Sequence, residues 1–245
     1  MENLLHYQQL ESTNAFLERL VQSKNRATEE ALPDGCAVYA DFQTAGRGRR
    51  TNVWFSEEGK NLLTSILLYP DIAPEEQFRV TEWVSLAMTD FLQEHAALSA
   101  RIKWPNDIYI GRKKIAGILV EHHWSGKKLS RSIVGIGLNL NQENFPDRLP
   151  NPTSVFRETN RRISVDAAAA AVRDALLQRK LQQPDKLHED YLHRLYLRQE
   201  EAPFRDLNSG EVFRGRIETV TPKGLLQLRC GTALREYELN GIAYL

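Results

Sequence analysis

A long helical segment lies between runs typical of β-strands, and this alternation limits the possible folds more than any other feature. From Glu75 to His95, apolar residues recur with helical spacing. Shorter apolar runs on either side are typical of strands: Cys36–Asp41, Leu62–Tyr69, Arg101–Trp104, Ile108–Ile110, Lys114–His122 and Ser132–Asn141. Further helices are predicted at Ser12–Leu20, Ser164–Leu181 and Asp185–Gln199. The chain therefore belongs to the α/β class, with a β-hairpin at Gly111-Arg112-Lys113.

Composition excludes several classes of protein. The 245 residues carry 32 Lys+Arg and 32 Asp+Glu, so no global charge recruits nucleic acid or an anionic membrane. No apolar run is long enough to span a bilayer, and the start of the chain lacks the regions of a signal peptide. Cys36 and Cys230 lie far apart without CxxC spacing, which argues against a disulfide framework or a cysteine zinc site. We expect a cytoplasmic protein.

The character of the chain changes after Pro203, where short strands alternate with glycine-containing turns. This tail predicts a small β-barrel packed against the main unit, and we place the domain boundary between residues 1–200 and 201–245. Before it, Asn144–Arg162 is polar and rich in proline and arginine. Its composition predicts a long surface loop, and loops of this length in compact domains are often functional.

Two glycines and three arginines meet in the loop Gly46-Arg47-Gly48-Arg49-Arg50. Glycine lets a backbone approach a ligand closely, and arginine offers a planar fork for phosphate or carboxylate. The loop matches neither a dinucleotide fingerprint nor a Walker loop. Composition alone fits a solvated basic turn as well as an anion site. Trp54 and Phe55, which follow closely, favour a ligand that is both anionic and flat.

Two further segments could carry chemistry. In Lys103-Trp104-Pro105-Asn106-Asp107, proline fixes the end of a strand, so a lysine and a carboxylate stand at a defined place. The alternative is a rigid turn with a surface ion pair. Gly135-Ile136-Gly137-Leu138-Asn139 places two glycines and an asparagine on one strand face, where a flat ligand could lie. That strand could equally accommodate a neighbouring helix.

Together these segments resemble the biotin protein ligases. The matching pieces stand in the order of that family: Ser12-Thr13-Asn14, Gln43–Arg49, Lys103–Asp107, Lys114–Glu121 and Gly135–Asn139. The resemblance implies a mixed β-sheet flanked by helices, followed by a small SH3-like barrel. It also implies a two-step reaction, in which biotin and ATP form biotinyl-5′-AMP and biotin then passes to a lysine of a biotin carboxyl carrier domain. Mg²⁺ would accompany ATP, and the enzyme would be a monomer or a homodimer.

The resemblance also implies a role for each matching residue. Lys103, Arg47 and Arg49 would be catalytic, with Lys103 at the biotin carboxylate and the arginines on a loop that closes over the adenylate. The biotin site would comprise Ser12, Thr13, Asn14, Gln43, Gly46, Gly48, Trp54, Lys103, Gly117, Leu119 and Gly137. The nucleotide would meet Arg47, Arg49, Arg50, Asn106, Lys114 and Asn139, and Asn139 would also hold Mg²⁺. Asp107 is a candidate for positioning the acceptor lysine or the ribose.

Some features depart from the family pattern. Thr51-Asn52 stands where the family often has Gly-Arg, which removes a cation and stiffens the loop. Only 11 residues precede Ser12, too few for the N-terminal helix-turn-helix of longer members, so we expect a ligase without a repressor. Two alternatives stay open. One is a lipoate–protein ligase, although its glycine-rich string is absent, and the other is a binding module that kept the pocket without the chemistry.

Overall fold

The computed structural model describes residues 3–26, 31–49, 52–198 and 200–245. The helices are α1 (Thr13–Arg26), α2 (Arg79–Ala96), α3 (Val155–Thr159), α4 (Val165–Lys180) and α5 (Pro184–His193), with a 3₁₀ turn at Pro74–Glu76. The strands are β1 (Leu4–Leu10), β2 (Ala37–Gln43), β3 (Leu62–Leu68), β4 (Arg101–Lys103), β5 (Asp107–Ile110), β6 (Lys113–Ser125), β7 (Lys128–Leu138), β8 (Ala202–Asp206), β9 (Val212–Val220), β10 (Leu226–Cys230), β11 (Ala233–Tyr237) and β12 (Ile242–Tyr244). No helix of these ranges is long and apolar enough to cross a membrane.

Seven strands form a mixed sheet in the order β1-β2-β3-β7-β6-β5-β4. β1 and β2 run parallel, and every other neighbouring pair is antiparallel. The predicted hairpin forms between β5 and β6, where Ile110 pairs with Lys113 and Gly111 adopts a positive φ of 56°. This mixed sheet is the architecture that the resemblance to the biotin protein ligases implies.

Helices cover both faces of this sheet. Leu17 and Val21 of α1 pack against Val38, Leu67 and Ile133 on one face. The strand neighbours of these residues, Ala37, Ile66, Leu68 and Val134, belong to the core that α2, α4 and α5 form on the other face. This alternation follows from the period of two in a strand. The candidate site described below lies on the α1 face, because Gly135 and Gly137 alternate with Val134 and Ile136, which point into the larger core.

Several element boundaries differ from the predicted ones. The predicted helix from Glu75 starts as a 3₁₀ turn, and α2 itself begins at Arg79. Helix α5 ends at His193 because the next residues turn towards β4, where Ile102 exchanges backbone hydrogen bonds with Arg194 and Tyr196. The predicted end of that helix at Gln199 lies outside the described residues. The first strand, β1, has no counterpart among the predictions.

The segment predicted as a surface loop, Asn144–Arg162, is buried at three successive residues, Thr153, Ser154 and Val155. Thr153 and Ser154 have no exposed surface, and Ser154 caps the short helix α3 by accepting a hydrogen bond from the backbone N–H of Arg157. The Ser154 hydroxyl also donates to the Gln142 carbonyl oxygen at 2.5 Å. These satisfied polar groups let the segment enter the interior, so the prediction of a loop on the surface is wrong for this part.

The five remaining strands form a second, antiparallel sheet in the order β11-β10-β9-β8-β12. It begins at Ala202, next to the predicted domain boundary, and includes β8 and β12, which the sequence did not indicate. Its buried residues Phe204 and Leu226 belong to the same core cluster as Trp104. Trp104 also donates its indole N–H to the carbonyl of Gly224 at 3.1 Å. The division into two domains stays a prediction, since the core runs through both sheets.

Candidate active site

A cavity of about 270 Å³ opens on the α1 face of the large sheet. Its walls come from the start of α1, the loop after β2 and the central strands β6 and β7. The predicted residues that line it are Ser12, Thr13, Asn14, Gln43, Arg47, Gly48, Arg49, Trp54, Asn106, Asp107, Lys114, Gly117, Leu119 and Gly137. The fold thus brings together residues that are spread over more than half of the sequence.

One end of the cavity is a network of neutral polar groups. The side-chain oxygen of Gln43 accepts hydrogen bonds from the backbone N–H and the hydroxyl of Thr13, at 2.7 and 3.0 Å. The hydroxyl of Ser65 donates to the Asn14 side-chain oxygen at 2.5 Å. Ser12, Thr13 and Asn14 are all buried at the first turn of α1. A polar network held this rigidly suits the recognition of a small neutral ring that both donates and accepts hydrogen bonds.

Two glycines form the floor of the cavity, and the indole of Trp54 lies directly on them. A Cβ atom on Gly117 would be 2.9 Å from Cζ3 of this ring, and one on Gly137 would be 2.7 Å from Cζ2. The indole N–H of Trp54 is buried and has no hydrogen-bond partner. The ring therefore occupies the surface that the sequence predicts for biotin. A flat ligand can reach the glycine floor only after the ring has moved.

The other end of the cavity carries charge. Lys114 Nζ forms an ion pair with Asp107 at 2.7 Å and lies 5.6 Å from the centre of the Trp54 ring. The guanidinium of Arg49 donates to the side-chain oxygen of Asn106 at 3.4 Å, and to Leu239 O and Asn240 Oδ1 at 3.3 and 3.4 Å. Arg49 thus joins the loop to the Lys103–Asp107 turn and to the second sheet. Cations in such a pocket stabilise negative charge that develops during a reaction.

The loop that carries the arginines doubles back on itself. Arg47 and Val53 form an isolated antiparallel bridge, and the N–H of Gly48 donates to the Asn52 carbonyl at 2.7 Å. Trp54 donates its backbone N–H to Gly46 at 3.0 Å, which explains how the loop delivers the indole to the cavity. Gly46 shapes the loop and does not line the cavity. Arg50 and Thr51 lie outside the described residues.

The structure does not place Lys103 at the cavity. Its Nζ lies 3.3 Å from the hydroxyl of Tyr109, and 4.8 and 4.9 Å from the ring centres of Tyr109 and Tyr244. Burial lowers the pKa of Lys103 below its ordinary value, although the charge of Asp107 opposes this shift. Lys103 ends β4 and points towards the second sheet, whereas Lys114 stands on the cavity wall. Lys103 therefore does not line the cavity in this structure, whereas Lys114 does, and the predicted contact of Lys103 with the biotin carboxylate stays a prediction.

Asn139, the predicted Mg²⁺ ligand, is buried beside the cavity and does not line it. Its side-chain nitrogen donates to the Thr153 carbonyl at 2.8 Å, and its side-chain oxygen has no hydrogen-bond partner. Among residues 3–26, 31–49, 52–198 and 200–245 no group of three or more His, Cys, Asp or Glu side chains could hold a metal ion.

Several lining residues were not assigned to a substrate. Gly135 is one of them, although the sequence contains a signal for it, since the period of two places it with Gly137 on the face where a flat ligand could lie. A Cβ there would be 3.0 Å from Cγ of Asn14, so glycine is what lets this asparagine approach the sheet. Asn240 belongs to the second sheet region and has no such signal. The other unassigned lining residues are Asn52, Val53, Thr64, Ile118 and Ile136.

Comparisons with known proteins agree with this geometry. A family model described as the biotin/lipoate A/B protein ligase family matches residues 7–139. The bifunctional ligase/repressor BirA of Bacillus subtilis is 37% identical over 150 residues, which cover 60% of this chain and 44% of that protein. The biotin–[acetyl-CoA-carboxylase] ligase of Paracoccus denitrificans is 38% identical over 105 residues, which cover 42% of this chain and 43% of that protein. The chain thus spans less than half the length of these relatives.

A solved structure shows the same fold over the whole chain. The biotin protein ligase from Aquifex aeolicus in complex with biotin and ATP superposes with a TM-score of 0.73. It is 24% identical, and the match covers 100% of both chains. The family model covers more than half of this sequence, including the start of α1, the arginine loop and strands β3 to β7. The chain belongs to the biotin/lipoate A/B protein ligase family.

Proposed function

We propose that this protein activates biotin with ATP and transfers it to a lysine of a biotin carboxyl carrier domain. In the first step, a carboxylate oxygen of biotin attacks the α-phosphorus of ATP. The bond from this phosphorus to the bridging oxygen breaks, and pyrophosphate leaves. In the second step, the neutral ε-amine of the carrier lysine attacks the carbonyl carbon of biotinyl-5′-AMP, loses a proton and displaces AMP.

The observation that carries this proposal is the division of the cavity into a neutral polar end and a cationic end. The network of Thr13, Gln43 and Ser65 suits the ureido ring of biotin, which is neutral and both donates and accepts hydrogen bonds. Lys114 and Arg49 stand where the carboxylate and the α-phosphate would meet. The first step brings two anionic groups together, so fixed cations there lower its barrier.

In this proposal Lys114 takes the role that the sequence suggested for Lys103. Its Nζ would lie 3.4 Å from a Cβ on Gly117, so it hangs directly over the glycine floor. Asp107 holds it there at 2.7 Å. An ammonium group in this position can contact a carboxylate that extends from a ring bound at the polar end. Lys103 lies between two tyrosine rings and does not line the cavity.

Trp54 would act as a cover that exchanges places with biotin. Its ring lies on Gly117 and Gly137 in the structure, and its indole N–H has no partner there. When biotin takes the floor, the loop would carry the ring to the outer side of the ligand. This movement would exclude water from the adenylate, which otherwise hydrolyses.

The proposal includes Mg²⁺, which would bind together with ATP. Mg²⁺ usually keeps several waters and binds through one or two protein oxygens and the substrate phosphates. The unpartnered oxygen of Asn139 is a ligand of the suitable type at the end of β7. When bound, the metal would neutralise charge on the leaving pyrophosphate. We place the reaction in the cytoplasm, with the carrier domain as a separate protein partner and the enzyme as a monomer or a homodimer.

The test is ATP–pyrophosphate exchange with Mg²⁺, measured with biotin, with lipoate and with neither acid. We expect exchange only with biotin, because a reversible acyl-adenylate step requires the acid that fits the site. Lipoate is the informative alternative, since the matching family includes lipoate ligases. Exchange with lipoate alone would assign the chain to that branch. Bound biotin without exchange with either acid would make the protein a binding module and would overturn the proposal.

A further inference from the structure

Glu121 of β6 connects the arginine loop to the rigid wall of the cavity. Its carboxylate accepts a hydrogen bond from the Asn14 side-chain nitrogen at 2.7 Å. The same carboxylate forms an ion pair with Arg47, at 3.2 Å from Nη2 to Oε1 and 3.3 Å to Oε2. Glu121 does not line the cavity, so a direct contact with the ligand does not explain these interactions.

The wall side of this connection is fixed in place. Asn14 is 3% exposed, and the hydroxyl of Ser65 donates to its side-chain oxygen. Gly135 leaves space for this amide against β7. Asn14 is therefore oriented with its side-chain nitrogen towards Glu121. The hydrogen bond from this nitrogen holds the Glu121 carboxylate in one position.

The loop side is the part that has to move. Arg47 pairs with Val53 across the loop, and Trp54 follows directly. In this inference Arg47 stays bound to Glu121 when the indole exchanges places with biotin, so the contact anchors the base of the loop while Trp54 moves. The two arginines of the loop differ in this respect. Arg47 is bound by a carboxylate, whereas the guanidinium of Arg49 donates to the oxygens of Asn106, Leu239 and Asn240.

We propose that Glu121 is a positioning residue: through its ion pair with Arg47 it fixes the loop over the bound acyl-adenylate and slows the escape of this intermediate. This inference rests on the proposed function and adds to it. It changes the role of Arg47 from a cation for the phosphate to an anchor for the loop. Arg49 and Lys114 then supply the charge that the reaction needs.

The experiment compares Glu121→Gln and Arg47→Gln, singly and together, with the wild type. The glutamine at 121 keeps an oxygen for Asn14 and removes the charge that binds Arg47. Both side chains are partly exposed, at 35% and 49%, so the pair is of moderate strength. We expect each single change to speed the dissociation of biotinyl-5′-AMP by about two- to five-fold. The double variant should be no faster than the quicker single variant, because both changes break one contact.

A second readout reports the loop without any ligand. Trypsin cuts exposed, mobile loops after arginine and lysine, so the rate of cleavage after Arg49 measures how often the loop leaves the cavity. We expect Glu121→Gln and Arg47→Gln to raise this rate by a similar factor in the free protein. A contribution of Glu121 to general stability alone would instead raise cleavage throughout the chain.

Glu18→Gln is the matched control. Glu18 of α1 lies on the same face of the sheet and forms an ion pair with Arg131 at 2.7 Å, and neither residue lines the cavity. This pair is more buried than that of Glu121, at 21% and 19% exposure. The control variant should keep the wild-type dissociation rate and the wild-type cleavage after Arg49.

Two results would overturn the inference: an unchanged dissociation rate in Glu121→Gln, or effects of the two single changes that simply multiply in the double variant. Failure of the proposed function looks different, because the wild type itself would then form no biotinyl-5′-AMP. The trypsin readout would still test the anchoring of the loop in that case.

Discussion

Two lysines of the large sheet, Lys103 and Lys114, have different surroundings in the structure. Lys103, at the end of β4, lies between the rings of Tyr109 and Tyr244, where burial lowers its pKa. Lys114, on β6, hangs over the glycine floor and pairs with Asp107. The first ammonium group faces two partly buried tyrosine rings. The second faces a cavity that has room for a ligand.

This difference shows that the lysine of a specific motif need not line the cavity to which the rest of the motif contributes. The Lys103–Asp107 string is the strongest mark of the family in this sequence, and Lys103 is its first residue. In the structure the string contributes Asn106 and Asp107 to the cavity, while its lysine supports the junction with the second sheet. Under the proposed function, variants of the two lysines should therefore differ greatly in the size of their effects.

The largest effect should follow from Lys114→Gln. This change removes the cation proposed to meet the biotin carboxylate and the α-phosphate, and it leaves Asp107 as an unpaired carboxylate at the site. We expect single-turnover formation of biotinyl-5′-AMP to slow by about 100-fold or more, as for the loss of one group that stabilises developing charge. Lys114→Arg should recover part of the rate. A rate within a factor of two of the wild type would exclude the role of Lys114.

A smaller loss is expected from Gly137→Ala, which tests the floor beneath Lys114. The new methyl group would come within 2.7 Å of Cζ2 of Trp54, so the ring must shift and the floor loses its flat surface. We expect biotin affinity, measured by calorimetry, to fall by about 10- to 100-fold. Gly215→Ala in β9 is a suitable control, because it adds a methyl group to a strand of the second sheet, 3.1 Å from Cys230 Sγ. Unchanged affinity in Gly137→Ala would place biotin elsewhere.

Lys103→Met should have little effect on the chemistry. Methionine retains the length of the apolar stem that packs between the tyrosines, and it removes the charge of a side chain that does not line the cavity. We expect adenylate formation within about three-fold of the wild type, since no lost contact involves the transition state. A fall as large as that of Lys114→Gln would reverse the assignment of the two lysines.

The smallest predicted effect is a dependence of stability on pH. Because the pKa of Lys103 is lowered in the folded state, the unfolded chain binds more protons between that pKa and 10.5. The free energy of unfolding therefore contains a contribution from Lys103 that rises with pH over this range, by at most about 1.4 kcal/mol per pH unit. In urea unfolding from pH 7 to 10.5, wild type should gain stability relative to Lys103→Met. A constant difference between the two proteins would contradict the shifted pKa.

Much of the fold could be predicted because its strands and its longest helix carry clear apolar periods. Strand β3 is buried at every position, and α2 is buried over most of its length. The missed strand β1 lies at the edge of the sheet, where its residues stay largely half-buried or exposed and give no clear pattern. Strands β8 and β12 are short, with five and three residues. Pairing with neighbouring strands specifies β1, β8 and β12, and no local sequence pattern marks them.

The parts of the candidate site that could be predicted are those that depend on the spacing of residues along one strand or one helix. Glycines of one strand face and polar residues at a helix start lie where their spacing places them, as Gly137 and Thr13 show. The sequence could not separate Lys103 from Lys114, because their difference comes in part from Tyr244, a residue of the second sheet that is distant in the chain. Asn240 was missed for the same reason, since the contact with Arg49 joins residues that are distant in the chain.

The most direct test is to look for the intermediate itself. The wild-type protein would be mixed with biotin, ATP and Mg²⁺ without a carrier, passed through a desalting column and analysed by mass spectrometry for the small molecule that it retains. We expect biotinyl-5′-AMP at about one molecule for each cavity, and none when ATP is replaced by an analogue that cannot release pyrophosphate. Retained biotin without any adenylate would show that the cavity binds and does not catalyse, in contradiction of the proposed function.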